Sequence, residues 1–267
     1  MRFDYELAFQ QVKKFLGRNQ DSLDQEIELE NDINKRQSFL SEVFFACALQ
    51  KSIGNDGALI EQTGENHPDV IMKMNGVRFN FEVTLMTQDD ERFGYGNIKA
   101  EEYAVNDKPK TQLTSKIYDK TKQYERWFNK GIVNKNDVNV IVVDLGRIFP
   151  MSFSETLLDS AMFMMGDEYE MHIDNYGSKC QLPKSRGFLV KKDGDGNEFK
   201  IHLEHIYDGL KYIDALITFN KNNVLESNNV FDFININNNE NVERLISLMS
   251  HHYETTISRW GILRKDT

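Results

Sequence analysis

Two carboxylates, Asp69 and Glu82, lie on either side of a segment centred on Asn75-Gly76. Asn-Gly between two runs of alternating apolar residues predicts a two-residue hairpin turn, because both residues tolerate a positive φ. Counting outward from this turn places Asp69 directly opposite Glu82 on one side of the hairpin, with Cβ atoms roughly 5 Å apart. Like charges at that distance repel unless a proton is shared or a cation lies between them, so the pair predicts a metal site.

The residues after the turn predict the strand that carries Glu82. Apolar side chains alternate with polar ones through residues 77–85, which is typical of a strand with one face in the core. Glu82 and Thr84 then project from the same face of a well-buried element. Rigid elements of this kind hold functional groups in place.

A basic segment further along the chain predicts a helix that packs on this strand. Within residues 112–130, apolar residues recur at helical spacing and form one stripe. The stripe consists of Leu113, Ile117, Tyr124, Trp127 and Phe128. Lys120 lies inside the stripe, with Lys116 and Gln123 at its edge. Two interpretations of Lys120 are open: its amine extends past the stripe into water, or it is directed at the acid pair.

Three features together resemble the PD-(D/E)XK nuclease superfamily: Pro68-Asp69, the short hairpin, and Glu82-Val83-Thr84. In that family an Asp and an Asp or Glu bind a divalent metal, and a Lys two residues later positions the attacking water. Thr84 occupies the position of that Lys. Some members carry the lysine on the following helix, so the resemblance implies Lys120 as the migrated lysine, with Lys116 as the second choice.

The resemblance also implies the cofactor and the remaining site residues. Mg²⁺, with Mn²⁺ as a substitute, would be held by ligands from the strands and from a core helix predicted at residues 35–51. These ligands are Asp69, Glu82, the main-chain carbonyl of Val83, and Glu42. Gln123 would assist Lys120 in catalysis. Basic residues of the second helix would contact the nucleic acid, namely Lys116, Lys122 and Arg126.

The implied function is hydrolysis of phosphodiester bonds by a metal-dependent nuclease, with DNA favoured as the substrate and restriction, defence or repair as the setting. Two alternatives stay open. Thr84 favours a catalytically inactive protein of the same fold that binds nucleic acid or a partner protein. The net charge of −10 favours an acidic mimic of nucleic acid, although a mimic does not explain the pairing of Asp69 with Glu82.

Charge is distributed unevenly along the chain. Residues 108–135 contain eight Lys and Arg against two acids, a local balance of +6 that suits phosphate contacts. Residues 21–32 contain six acids and no base, which predicts either a solvated connector or an arm that docks a protein partner. Two cysteines and the lack of an apolar run of signal or membrane-spanning length predict a cytoplasmic location without membrane contact.

The order of predicted elements indicates an α/β fold. Residues 138–145 form an almost continuous β-branched run, which is typical of a strand covered on both faces. Strand, helix and strand in this order predict a crossover that places residues 138–145 beside residues 79–85 in a mixed sheet. With the nuclease resemblance, the expected architecture is a restriction-endonuclease-like mixed β-sheet core flanked by helices, with C-terminal β/α additions.

Three segments are expected along the chain. Residues 1–34 would form an N-terminal helix and acidic connector, residues 35–220 the nuclease-like core, and residues 221–267 Asn-rich loops, a strand and a C-terminal helix packed on the core. The further elements predicted within them are strands at 57–63, 212–219 and 230–236, a hairpin at 187–203, and helices at 152–165 and 241–260.

Overall fold

The computed structural model describes residues 33–54, 57–60, 66–86, 108–145, 165–173, 179–185, 188–192, 196–219 and 230–259. The helices in these ranges are α1 (Ile33–Ile53), α2 (Lys108–Asn129), α3 (Leu203–Leu210) and α4 (Glu240–Ser250). The strands are β1 (Gly57–Ile60), β2 (Val70–Met74), β3 (Val77–Leu85), β4 (Val138–Asp144), β5 (Met165–Ile173), β6 (Lys179–Ser185), β7 (Phe188–Lys192), β8 (Glu198–His202), β9 (Ala215–Phe219), β10 (Val230–Asn235) and β11 (Glu254–Arg259). No helix among the described residues is both long and apolar enough to cross a membrane.

The fold is α/β, with a mixed sheet of seven strands in the order β1-β2-β3-β4-β9-β10-β11. The three central strands, β3, β4 and β9, run parallel, and antiparallel strands flank them on both sides. The predicted placement of residues 138–145 beside β3 is confirmed by the parallel ladder between β3 and β4. Two further ribbons, β5–β6 and β7–β8, are antiparallel pairs, and the second is the hairpin expected at 187–203.

Strand alternation divides the core into two layers, one on each face of the sheet. On one face, Phe79, Phe81 and Val83 of β3 pack with residues of α1 and α4. Phe45 of α1 meets Phe81 edge to face, with ring centroids 5.2 Å apart. The other face belongs to a second apolar cluster formed with α2 and α3. Because Glu82 alternates with its neighbours, it points toward the α2 side of the sheet.

The hairpin at Asn75-Gly76 has the predicted register. Asn75 has φ 50° and Gly76 has φ 80°, which are the positive values that this turn requires. β2 and β3 pair in antiparallel fashion, with Val70 opposite Phe81 and Met74 opposite Val77. Asp69 immediately precedes β2 and is therefore the next residue in register with Glu82.

The C-terminal segment belongs to the main sheet. β10 pairs with β9, and its residues Phe231 and Phe233 are buried in the same cluster as α1. The helix expected at 241–260 is shorter than predicted: α4 ends at Ser250, and Glu254–Arg259 forms β11, parallel to β10. The prediction of helix beyond Ser250 is wrong because the following residues, Thr255, Thr256 and Ile257, are β-branched and suit a strand.

Several expected elements differ in their bounds or lie outside the described residues. The strand expected at 212–219 begins at Ala215. The N-terminal helix and the acidic stretch at 21–32 lie outside the described residues, as does most of the helix expected at 152–165. Its last residue, Met165, begins β5. The ribbon β5–β6 and the short helix α3 were not predicted from the sequence.

Candidate active site

Just before β2, a side chain takes the place of a backbone hydrogen bond between β2 and β3. Counting on from Val70 and Phe81, Pro68 is in register with Val83, and a proline has no N–H to donate. The carboxylate of Asp69 instead accepts the N–H of Val83 through Oδ2 at 2.8 Å. Since the N–H and C=O of a strand residue point to the same side, the Val83 carbonyl is directed toward the side where Asp69 lies.

Glu82 and Lys120 form an ion pair across the β3–α2 interface. Glu82 is buried, with 2 % of its surface exposed, and its Oε1 accepts a hydrogen bond from Lys120 Nζ at 2.5 Å. Lys120 Nζ also lies 3.4 Å from Gln123 Oε1, and 21 % of the lysine side chain is exposed. The amine of Lys120 is therefore directed at the acid pair.

No N–H or hydroxyl group of the described residues donates to the second oxygen of Glu82. Among the described residues, Glu82 Oε2 is one of two buried side-chain polar atoms without a partner. The pKa of Glu82 is raised to about 8: burial raises it most, the charge of Asp69 and a hydrogen bond with Asp69 also raise it, and Lys120 lowers it. Burial also raises the pKa of Asp69, while Lys120 and the Val83 N–H lower it. Without a further cation, the two carboxylates retain a proton near neutral pH.

These oxygen donors fit a hard divalent cation. Mg²⁺ usually binds through one or two carboxylates and keeps several waters. Asp69 and Glu82 supply two carboxylates, and Val83 supplies a carbonyl on the same side. The buried Oε2 of Glu82 lacks a partner, and a cation would satisfy it. Asp69, Glu82 and the Val83 carbonyl could therefore hold Mg²⁺.

Glu42 lies on a helix that covers the opposite face of the sheet. α1 packs on the face of β3 that carries Phe81, whereas Glu82 is on the α2 face. The neighbouring Ser41 donates to Asp144 Oδ2 at 2.7 Å, which directs this part of α1 toward β4. Within the described part of the chain, no group of three or more His, Cys, Asp and Glu side chains could hold a metal ion. The structure thus does not bring Glu42 together with Asp69 and Glu82 as a three-acid metal site.

Tyr124 fixes the position of α2 on the sheet. Its hydroxyl lies 2.8 Å from the carbonyl of Asn80 and 2.9 Å from the carbonyl of Val140, on two neighbouring strands. Burial raises the pKa of Tyr124 well above its ordinary value, so the phenol stays protonated and can donate. Because Lys120 lies one helical turn before Tyr124, this contact places the amine over Glu82. The apolar stripe did not indicate this role of Tyr124, although a buried hydroxyl needs a partner.

The basic residues of α2 line a cleft of about 660 Å³, a volume within the usual range of ligand pockets, roughly 300–1,000 Å³. Its lining consists of Thr84, Lys116, Asp119, Lys120, Lys122, Gln123, Glu125 and Arg126. All three residues predicted to contact nucleic acid are in this set. Lys122 is paired with Glu125 at 2.9 Å, whereas Arg126 is exposed. Lys120 therefore lies between this cation-rich surface and the buried Glu82.

Comparison with known proteins identifies no family for this chain. No protein-family model matches the chain, and neither a curated protein nor a solved structure does. The chemistry of the site itself is therefore the basis for the function of this protein.

A close contact between α2 and α3 lies next to Lys120. A Cβ atom added at Gly209 of α3 would lie 2.5 Å from Thr121 Oγ1 and 2.6 Å from Thr121 Cβ. Thr121 is fully buried, and its hydroxyl donates to the carbonyl of Tyr118 at 2.8 Å. Glycine at position 209 thus permits the approach of the two helices beside the catalytic candidate.

Gly209→Ala is expected to destabilise the protein by about 1–3 kcal/mol, because overpacking displaces α2. Helix propensity alone would favour alanine over glycine by roughly 1 kcal/mol, so a loss of stability isolates the contact with Thr121. The measurement is urea-induced unfolding of both single variants and of Gly209→Ala with Thr121→Ala. The double variant should recover most of the loss; additive destabilisation would contradict the contact.

Proposed function

We propose that this protein is a Mg²⁺-dependent nuclease of the PD-(D/E)XK type, which hydrolyses phosphodiester bonds in nucleic acid. The observation that supports this function is the convergence of Asp69, Glu82 and Lys120, with Lys120 Nζ 2.5 Å from one Glu82 oxygen and the other oxygen buried without a donor. Two acids and an amine from a following helix are the groups that such a reaction needs.

Each residue has a distinct role in the proposed reaction. Asp69 and Glu82 supply anionic oxygens for the cation, together with the Val83 carbonyl. Bound Mg²⁺ would lower the pKa of a water and neutralise charge on the phosphate. Lys120 holds a positive charge beside the reacting phosphate, where fixed charges stabilise the transition state most strongly. Gln123 accepts from the Lys120 amine at 3.4 Å and helps to orient it.

Lys120 also accounts for the absence of a lysine at position 84. Thr84 is on the same face of β3 as Glu82 and lines the cleft with Lys120. An amine that reaches Glu82 from α2 supplies the charge that a lysine at position 84 would otherwise provide. The strand and the helix thus share a site that most family members build on one strand.

The cleft suggests how the polymer is held. Lys116, Lys122 and Arg126 line it together with Lys120, and positive side chains on one surface suit the phosphates of a nucleic acid backbone. We favour DNA as the polymer, in a cytoplasmic setting of restriction, defence or repair. The acidic stretch at 21–32 lies outside the described residues. We propose it as a docking arm for a protein partner.

Lys120→Met is expected to lower the cleavage rate by about 100-fold or more, because it removes the fixed cation at the reacting phosphate. The assay incubates the purified protein with plasmid, linear duplex, single-stranded DNA and RNA, with Mg²⁺, with Mn²⁺ and with neither. Lys116→Met is the matched control, since Lys116 lines the same cleft one turn away. Loss of one phosphate contact weakens binding of the polymer, so at saturating polymer the rate should change less than about 5-fold. Equal losses in both variants would argue against a specific role for Lys120.

A second candidate is an inactive protein of this fold that binds nucleic acid or a partner protein. Thr84 and the lack of a third acidic ligand among the described residues favour it. A titration of thermal stability with Mg²⁺ and Mn²⁺ separates the candidates. An inactive binder should show no stabilisation that Asp69→Asn removes, and it should bind a polymer without cutting it.

A further inference from the structure

Lys120 occupies one oxygen of Glu82 that a metal ion would need. Its amine donates to Oε1 at 2.5 Å, while Oε2 is buried without a donor. The ammonium group therefore serves as the cation of the acid pair in the metal-free protein. An ammonium ion and a divalent cation that share one carboxylate repel each other, so they compete for Glu82.

We propose that Lys120 is a displaceable internal counter-ion that couples cation binding to phosphate binding. A divalent cation at Asp69 and Glu82 releases the amine of Lys120 from Glu82, and the released amine binds a phosphate group in the adjoining cleft. This inference rests on the metal site of the proposed function. By linkage, a phosphate that holds the amine away from Glu82 must in turn favour the cation.

The surroundings of Lys120 allow this transfer without a movement of α2. Its side chain is 21 % exposed, and it lines the same cleft as Lys116 and Arg126. Rotation about the terminal side-chain bonds can therefore redirect the amine, whereas the helix is held by Tyr124. Lys122 differs because its amine is paired with Glu125 on the helix surface, away from the acid pair.

The inference predicts that Mg²⁺ changes the chemical reactivity of one particular lysine. The wild-type protein, without nucleic acid, is treated briefly with an amine-acetylating reagent, and the acetylation rate of each lysine is measured by peptide mass spectrometry. Lys120 should react slowly without metal and about 5-fold faster or more with saturating Mg²⁺. Inorganic phosphate added with Mg²⁺ should slow it again. Lys116 and Lys122 are internal controls and should respond to Mg²⁺ less than about 2-fold.

Glu82→Gln provides a second test, because the neutral amide holds the ammonium group less strongly. In this variant Lys120 should react at the fast rate without metal, and Mg²⁺ should add nothing. Phosphate alone should then protect Lys120. A wild-type Lys120 whose rate is unchanged or lowered by Mg²⁺ would overturn the inference, as would a slow, Mg²⁺-sensitive Lys120 in Glu82→Gln.

The outcomes for this inference and for the nuclease function are separable. If Mg²⁺ changes the reactivity of Lys120 but the protein cleaves none of the four polymers, the counter-ion role is supported and the nuclease function is refuted. If the protein cleaves with Mg²⁺ while the reactivity of Lys120 stays constant, the nuclease function is supported and the counter-ion role is refuted.

Discussion

Glu82→Gln is expected to lower Mg²⁺-dependent cleavage by about 1,000-fold or more. The amide has the shape of the carboxylate but lacks its charge, so the variant loses an anionic ligand for the cation and the charged partner of Lys120. The loss falls on the step that needs the metal. Initial rates on the preferred polymer, at saturating Mg²⁺, measure it.

Glu125→Gln is the matched control for this change. Glu125 is also a carboxylate that lines the cleft, and it pairs with Lys122 at the surface. Because exposed ion pairs contribute little, its replacement should alter the rate less than about 3-fold. Full activity in Glu82→Gln, with unchanged thermal unfolding, would refute the proposed active site.

The metal-free protein is expected to lose stability as the pH rises from 4.5 to about 8, the interval between the ordinary and the folded-state pKa of Glu82. Within this interval the folded protein keeps a proton that the unfolded chain has released, so the free energy of unfolding falls with increasing pH. Below the interval both states are protonated, and above it the loss is complete. The pKa of Asp69 is also raised and acts in the same direction. For the shift of Glu82 alone, the loss is on the order of 5 kcal/mol.

The measurement is the free energy of unfolding from urea titrations across this pH interval, for the wild type and for Glu82→Gln. Other groups affect both proteins alike, so the difference between them isolates the acid pair. The wild type should lose stability relative to Glu82→Gln as the pH rises, and Mg²⁺ should reverse much of that loss. A difference that is constant with pH would contradict the raised pKa.

The hairpin and its register could be predicted because their signals are local. Asn75-Gly76 specifies a turn by backbone conformation alone, and strand alternation then fixes which residues face each other. The pairing of Val70 with Phe81 follows from counting. The β-branched character of residues 138–145 likewise identified β4 without knowledge of its partners, since both its faces are buried.

Features that depend on distant contacts could not be predicted in this way. The helical stripe left two interpretations of Lys120 open, and only the resemblance favoured the one directed at the acid pair. The contact with Glu82 itself depends on the hydroxyl of Tyr124 bridging two strands and on the space left by Gly209 of α3. The side of the sheet on which α1 packs determines where Glu42 lies, and periodicity within the helix does not contain that information. The helix expected at 241–260 ends at Ser250 because the β-branched residues after it suit a strand, and this strand pairs with β10, a partner that helical periodicity does not reveal.

The central parallel strands have a consequence for synthesis on the ribosome. The pairing of β4 with β9 is delayed until β9 has been synthesised, because hydrogen-bonded residues such as Asn139 and Asp214 are separated by 75 positions. At a translation rate of roughly 5–20 residues per second, the apolar edge of β4 stays unpaired for roughly 4–15 s after it emerges. The hairpin and α2 precede that edge in the chain. The nascent polypeptide can thus bring the hairpin, α2 and β4 together first, while the edge of β4 that later pairs with β9 stays exposed to aggregation.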